Sequence, residues 1–380
     1  MPSKPIRVLQ VVPSLNRSAG VARVVYNWQQ FHDETRVHFD YLHHSSRNGE
    51  LMHDSRYDEE FQAAGSNVFT VNYAADGFKR FASEMRHILA KIGAEYDIVH
   101  CHMPNSAFIV LKESKRIGVR NRILHSHLNS SSDNFLHRLR NAPLNAVGRR
   151  YATDFVTCSQ EAGEYLFGSR PFTIINNGIA LNQFAYDEKK RNALRTELGI
   201  AQSDLVVGCV GRFVKQKNFP FAIQVFAQLH KRNSATKMVI LGDGVDRHEI
   251  EDAIQSEELQ DSVLLLGVRE DMSAIYSGID TFFMPSLYEG LPVSAVEAQA
   301  AGLSCIYSTG VPKETDITGT GVFLPLDADM SQWVRGLEQS LNTGRRGENP
   351  SRLEAHGYSA KANAELLMQH YEKLIEGINR

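Results

Sequence analysis

The sequence predicts an α/β protein built from two doubly wound domains that face each other across a cleft. Three observations carry that expectation. Short apolar runs alternate with longer amphipathic stretches, the pattern of parallel strands joined by crossover helices. The alternation occurs twice. A polar, charged passage from Leu181 to Asp204, with DEKKRNALRTELGI at its centre, separates the two sets. A chain of 380 residues is also too long for one hydrophobic core.

In the first half the strand candidates are IRVLQVV (6–12), VHFDYL (37–42), NVFTVN (67–72), DIVHCH (97–102), RILHSH (122–127), DFVTCS (154–159) and FTIINN (172–177). The second half supplies LVVGCVG (205–211), KMVILG (237–242), VLLLG (263–267), TFFMPS (281–286) and LSCIYS (303–308). Helical patterns such as VARVVYNWQQF, FAIQVFAQLHKR and RHEIEDAIQ lie between most of them. The tail, SAKANAELLMQHYEKLIEGINR, reads as an amphipathic helix with Leu366, Leu367, Tyr371, Leu374 and Ile375 on one face. We therefore expect a first domain over 1–183, completed by the helix 359–380, and a second domain over 184–358. In open α/β sheets, ligands bind outside the carboxyl ends of the strands, so the cleft is the expected site.

The composition narrows the function. With 42% hydrophobic and 22% charged residues and a net charge of −3, the chain reads as an ordinary globular protein, and nothing in the charge calls for nucleic acid. No apolar run approaches the roughly 20 residues that span a bilayer. The opening MPSKPIRVLQVVPSL has an apolar core too short for a signal peptide and reads as a first strand. Cys101, Cys158, Cys209 and Cys305 are widely spaced within apolar runs, which fits buried thiols in a reducing cytoplasm. A cytoplasmic protein follows.

The stretch SLYEGLPVSAVEAQAAG (286–302) raises the sharpest question. TFFMPS is a strand, so 287–291 is the loop at its carboxyl end. Pro292 suits the first turn of a helix, which runs to about Ala301 and stops at Gly302. The first amides of such a helix attract an anion. Glu289 precedes the helix, and Glu297 lies roughly 8 Å further along its axis at ~1.5 Å per residue. Two carboxylates so spaced suit a sugar and a ribose flanking a diphosphate. The plainer alternative makes Glu289 part of a cap and Glu297 a surface residue.

In VGCVGRFVKQKNFPFAIQVF (207–226) a strand ends at Gly211. Arg212 and Lys217 follow in the loop, placed to neutralise a departing diphosphate, and Asn218 could cap the next helix. The alternative is a solvated basic loop. PSLNRSAGVARVVYNW (13–28) resembles a phosphate loop weakly, through Gly20. LGDGVDRHEI (241–250) lacks the third glycine of a dinucleotide fingerprint. His100, His102, His125 and His127 stand at the ends of two strands. No thiol or acid has matching metal spacing, so no metal is expected, and a core histidine is the plain reading of His100.

GRFVKQKN, LGDGVDRHEIE, NNGIALNQF and above all YEGLPVSAVEAQAAG resemble the retaining glycosyltransferases of family 4, which have the two-domain, Rossmann-like GT-B fold. The resemblance runs from the first strand to about Leu324 and is strongest from Asn176 onward. It implies that Glu289 contacts the donor sugar and Glu297 the ribose hydroxyls. Arg212 and Lys217 would hold the diphosphate, and His125 would lie near the reacting sugar. Gly290, Leu291, Pro292, Val293, Gly242, Val268 and Asn177 would line the nucleotide-sugar site, with Gly20 in the first domain's glycine loop. The tail helix would cross back onto the first domain. The chain departs from the family where Ala19-Gly20 replaces Gly-Gly, where Ala22 replaces an acid, and where Ala180 replaces a common Asp.

The resemblance further implies a metal-independent hexosyl transfer from a nucleoside-diphosphate sugar, by family habit a UDP-sugar. No cofactor is expected, and the leaving diphosphate would take the acceptor's proton. The only Asp-x-Asp, at 327–329, reads as loop. Basic residues outnumber acidic ones between 101 and 160, and NFLHRLRNAPLNAVGRR interleaves them with apolar ones. A peripheral contact of 135–150 with the inner face of the membrane would suit a lipid-linked saccharide acceptor. An ordinary helix packed on the sheet is the alternative. Two other functions stay open here: a sugar-nucleotide epimerase or hydrolase on the same fold, and a non-catalytic sugar-nucleotide-binding subunit.

Overall fold

The computed structural model describes residues 4–17, 19–52, 55–127, 135–344 and 349–378, with the backbone alone at 135–140 and 378. The chain divides into two compact units. One holds residues 1–178 and 360–380, the other 179–359. The division falls just before Ile179 because Ile179, Leu181 and Phe184 bury their side chains in the second unit's core. Ile179 also bridges to Ser359 there.

In the first unit, β1 (Ile6–Val12), β2 (Val37–Arg47), β4 (Val68–Asn72), β5 (Ile98–Cys101), β6 (Asn121–Ser126), β7 (Asp154–Thr157) and β8 (Thr173–Ile174) pair in parallel. A two-residue β3 (Glu50–Leu51), which the sequence pattern misses, is antiparallel to the end of β2. The spatial order β4-β2-β1-β5-β6-β7-β8 reverses direction between β1 and β5. That reversal is the doubly wound switch point. Val, Ile and Leu on the two faces of the sheet feed two separate cores, as expected for strands covered on both sides.

The C-terminal helix Ala360–Ile378 packs on one of those faces through Ala364, Leu367, Met368 and Tyr371. Leu374 and Ile375 lean on the same core, whereas Leu366, expected on this face, is 49% exposed. The helix is turned so that the stripe Ala364-Leu367-Met368-Tyr371, at 3- and 4-residue spacing, faces inward. Arg36 holds it from the side, donating to Glu365 at 2.7 Å and to Glu372 at 2.8 Å.

The second unit is an all-parallel sheet of β9 (Leu205–Val210), β10 (Thr236–Leu241), β11 (Val263–Gly267), β12 (Thr281–Met284), β13 (Ser304–Ser308) and β14 (Val322–Leu324). Its order is β11-β10-β9-β12-β13-β14, with the reversal between β9 and β12. β14, three residues long, escapes the sequence pattern. Asp329 of the Asp-x-Asp caps the helix Met330–Thr343, accepting from the Ser331 amide at 2.7 Å. All four cysteines are buried free thiols.

Two glycines in LGDG have a steric reason. A Cβ at Gly242 would stand 1.8 Å from the Gly211 carbonyl oxygen, and one at Gly244 would stand 2.3 Å from that of Phe213. Gly242 also has φ +135°, open to glycine alone. The loop after β10 thus lies directly on the loop after β9. Gly242→Ala should destabilise the second unit by about 3 kcal/mol, through overpacking and backbone strain. A urea midpoint unchanged from wild type would refute this.

Candidate active site

β9 and β12 are neighbours at the second unit's switch point. Their carboxyl-terminal loops, 211–218 and 285–292, therefore meet. The first loop tightens into a turn at Lys215–Lys217 and enters the helix Phe219–Arg232 through Asn218, which has the left-handed φ of 56°. Asn218 does not cap that helix with its side chain. Its amide donates to the Pro285 carbonyl at 3.2 Å, tying the two loops together. The Leu287 amide donates to the Gln216 carbonyl at 2.8 Å.

The carboxylate of Glu289 sits inside this junction and is only 6% exposed. It accepts from the Lys217 ammonium at 2.6 Å and from the Gln216 amide at 3.2 Å. Its backbone amide donates to Gly310 at 3.0 Å, and a Cβ on Gly310 would stand 2.2 Å from the Leu287 carbonyl. Glu289 makes no helix cap, since the next helix, Val293–Ala300, begins at Pro292 with no side-chain cap. Arg212 stands exposed at the start of the same basic loop.

Glu297 is also 6% exposed, so it is not a surface residue. The Tyr276 hydroxyl donates to it at 2.9 Å. Gly290 is partly buried, Leu291 and Pro292 are buried, and Val293 opens the helix half-exposed. The first helical amide to bond backward is that of Ala295, to the Pro292 carbonyl at 3.0 Å. The helix dipole concentrates positive potential at this end. Val268, just past β11, is 59% exposed.

The remaining predicted residues lie in the first unit. Gly20 is the first residue of the helix Gly20–Phe31, with open space where a Cβ would be. Asn177 is buried, and its side chain meets the His127 ring. His125 is wholly buried on β6, and His127, two residues on, stands just past the strand end at 9% exposure.

His125 belongs to a column of rings. The centroids of His100 and His102 are 4.3 Å apart, and those of His125 and His127 are 3.9 Å apart, both pairs stacked. Burial holds all four neutral, pushing His127 down to about 4 and the others well below the usual imidazole value. His100, His102 and His125 bring nitrogens within 4.8 Å of one another. The ring planes are within 30° of parallel, so their in-plane lone pairs do not converge on one point. Both nitrogens of His100 and of His102 are already hydrogen-bonded. The four rings thus form one hydrogen-bonded cluster.

Sequence reasoning missed Gln216 and Tyr276, which hold the two glutamates. A glutamine between the two lysines of KQK was the only local signal.

Helix Phe135–Tyr151 contains the basic stretch considered for membrane contact. The side chains of Phe135, Leu136, Arg138, Leu139 and Arg140 lie outside the described residues. Beyond them Asn141, Asn145 and Gly148 are buried, with Gly148 tight against Ala107. Arg149 donates to the Leu166 carbonyl at 2.8 Å, while Val147 and Arg150 are exposed. Among the described residues, no helix is long and apolar enough to cross a membrane.

Residues 190–359 match the family model described as glycosyl transferases group 1. A Bacillus subtilis (strain 168) protein that is a glycosyltransferase by name, EpsF, is 32% identical over 98% of this chain and 97% of its own length. An Escherichia coli enzyme named UDP-Gal:alpha-D-GlcNAc-diphosphoundecaprenol alpha-1,3-galactosyltransferase is 34% identical over 36% of each chain. Among solved structures, Anabaena HepE in complex with UDP and glucose matches with a TM-score of 0.79. It covers 97% of this chain and all of its own at 16% identity. Sucrose-phosphate synthase from Thermosynechococcus elongatus matches with a TM-score of 0.78, at 17% identity over 98% of this chain and all of its own.

Proposed function

The chain belongs to the glycosyl transferases group 1, with the GT-B fold of two Rossmann-like domains, and we propose that it is a retaining member of family 4 using a UDP-sugar. It is a glycosyltransferase by family. The finer reading is that it moves a hexosyl group to a saccharide or lipid-linked saccharide, without a metal. One observation carries this: the Lys217–Glu289 pair, 2.6 Å long and nearly buried, beside the open amide end of a helix that holds Glu297.

An apolar environment makes such a pair strong, and it holds both groups in place before any ligand arrives. On donor binding, Lys217 and Arg212 face the diphosphate together with the first amides of Val293–Ala300. Glu289 turns to the sugar hydroxyls and Glu297 to the ribose. The bond from the anomeric carbon to the diphosphate breaks, and the bond to the acceptor oxygen forms on the same face. The acceptor's proton passes to the departing phosphate oxygen. Side-chain cations and helix amides then do the charge stabilisation that a metal does elsewhere. The UDP reading is supported by the UDP of the HepE complex and the UDP-Gal of the E. coli relative's name. That same name gives a diphosphoundecaprenol-linked acceptor, which supports a lipid-linked saccharide and a place at the inner face of the membrane.

The test is a screen of purified protein against UDP-, GDP- and ADP-sugars, with and without EDTA. We expect UDP release from one UDP-sugar at a rate EDTA leaves unchanged, and a product that keeps the donor's anomeric configuration by NMR. Turnover only with added metal, or an inverted product, would reject the mechanism.

A further inference from the structure

Glu297 carries a hydrogen-bond donor that reaches it from a different helix. Tyr276 belongs to the helix Met272–Gly278 and is wholly buried. Its hydroxyl donates to Glu297 Oε2 at 2.9 Å. The ring behind that hydroxyl is itself held. Phe184 and Phe282 meet it edge to face, with centroids 6.0 and 6.2 Å away. Phe184 closes the one-turn helix Leu181–Phe184 at the end of NNGIALNQF, and Phe282 lies on β12. All three rings belong to one buried cluster of the second unit, so that unit alone fixes where the hydroxyl stands.

The last torsion of a glutamate is soft, and its carboxylate turns when nothing holds it. A vicinal diol presents two hydroxyls at a set spacing. It is met best by a carboxylate whose plane is already set, because ordering the side chain then costs nothing at the moment of binding. The Tyr276 hydroxyl occupies one lone-pair site of Oε2 and fixes that plane. A 2′-deoxyribose has only one hydroxyl to offer here, so it gains less from a preset carboxylate.

We propose that Tyr276 is a positioning residue that presets Glu297 for the ribose diol, and so makes the site select nucleoside diphosphates over their 2′-deoxy counterparts. The inference rests on the transferase reading above, which gives Glu297 the ribose. Tyr276 acts through Glu297 and is not itself a catalytic residue. A tyrosine that merely supports the core would, when altered, weaken both kinds of nucleotide alike.

Calorimetry on the purified full chain compares UDP with dUDP, GDP with dGDP and ADP with dADP, with no sugar or acceptor present. In the wild type the ribonucleotide that binds should outdo its deoxy form by about 10- to 100-fold, the worth of a hydrogen bond to a charged group. Tyr276→Phe keeps the ring between Phe184 and Phe282 and removes the hydroxyl. The preference should then fall by about threefold or more, through weaker binding of the ribonucleotide. Phe184→Leu loosens the ring with its hydroxyl in place, and should lower the preference in the same direction. Glu297→Ala should remove the preference, and adding Tyr276→Phe to it should change the preference no further. A wild type that binds both forms equally overturns the positioning role without any variant. So does an unchanged preference in a Tyr276→Phe protein that melts cooperatively, or in Phe184→Leu where Tyr276→Phe does not fold. A wild type that binds none of these nucleotides overturns the transferase reading instead, and with it the role given to Tyr276.

Discussion

Glu289→Gln should lower kcat by about 10² to 10³ while the protein stays folded. The substitution keeps the size of the side chain and removes its charge. Lys217 then loses its counter-charge, and the sugar hydroxyls lose their strong acceptor. The two residues touch at 2.6 Å, so their losses should not add. Lys217→Met should cost a similar factor, and the double variant should be little worse than either single one. Both side chains are largely buried, so breaking the pair also costs stability, about 3 to 5 kcal/mol for a fully buried pair and less here. Rates must be taken well below each variant's melting temperature. A Glu289→Gln enzyme within threefold of wild type, or strictly multiplicative losses in the double variant, would sink the proposed role.

That pair shows where the sequence is legible and where it is not. The strand periods, the Glu-x7-Glu spacing and the basic loop are local, and each is visible in its own stretch. The strand ends differ from the pattern by a few residues, and two short strands, β3 and β14, are missed. The meeting of Lys217 with Glu289, 72 residues apart, depends on β9 lying beside β12. Strand order is a property of the whole sheet, and no window of sequence states it. The two His-x-His pairs are legible as i, i+2 positions on one face of two strands. Their partner Tyr371 is not, because it lies 361 residues from Gln10 and meets it only once the last helix has docked. Leu366 shows the converse. It fits the apolar stripe by spacing, yet the helix is turned to bury Met368.

Acid should destabilise the first unit before the second as pH falls below about 6.5. His100, His102, His125 and His127 are held neutral by burial, their folded values pushed below the ordinary one. In the unfolded chain each takes up a proton near pH 6.5. A base whose folded pKa is depressed contributes stability that fades as pH falls below the unfolded value, because the unfolded state binds more protons. As pH falls below about 6.5 each ring takes some of that stability away, and all four losses fall on the same unit. A domain has only about 5 to 15 kcal/mol in all. His44, lowered to about 4 by burial, adds to the loss. His38 works at the other end. Its hydrogen bond to Asp40 raises it to about 9, so its contribution is complete below pH 6.5 and disappears only as pH rises through 9. Asp40 is lowered despite its burial, by bonds from His38, the Asn67 amide, Tyr96 and Arg7, and matters only below about pH 4. The second unit has no equivalent, since none of His230, His248 and His356 is buried. Hydrogen exchange read by mass spectrometry, unit by unit from pH 7.5 to 5, resolves the two. Protection of β1, β5 and β6 should collapse over that range while β9, β10 and β12 keep theirs. Equal losses in both units would mean that the buried histidines do not set the first unit's acid stability.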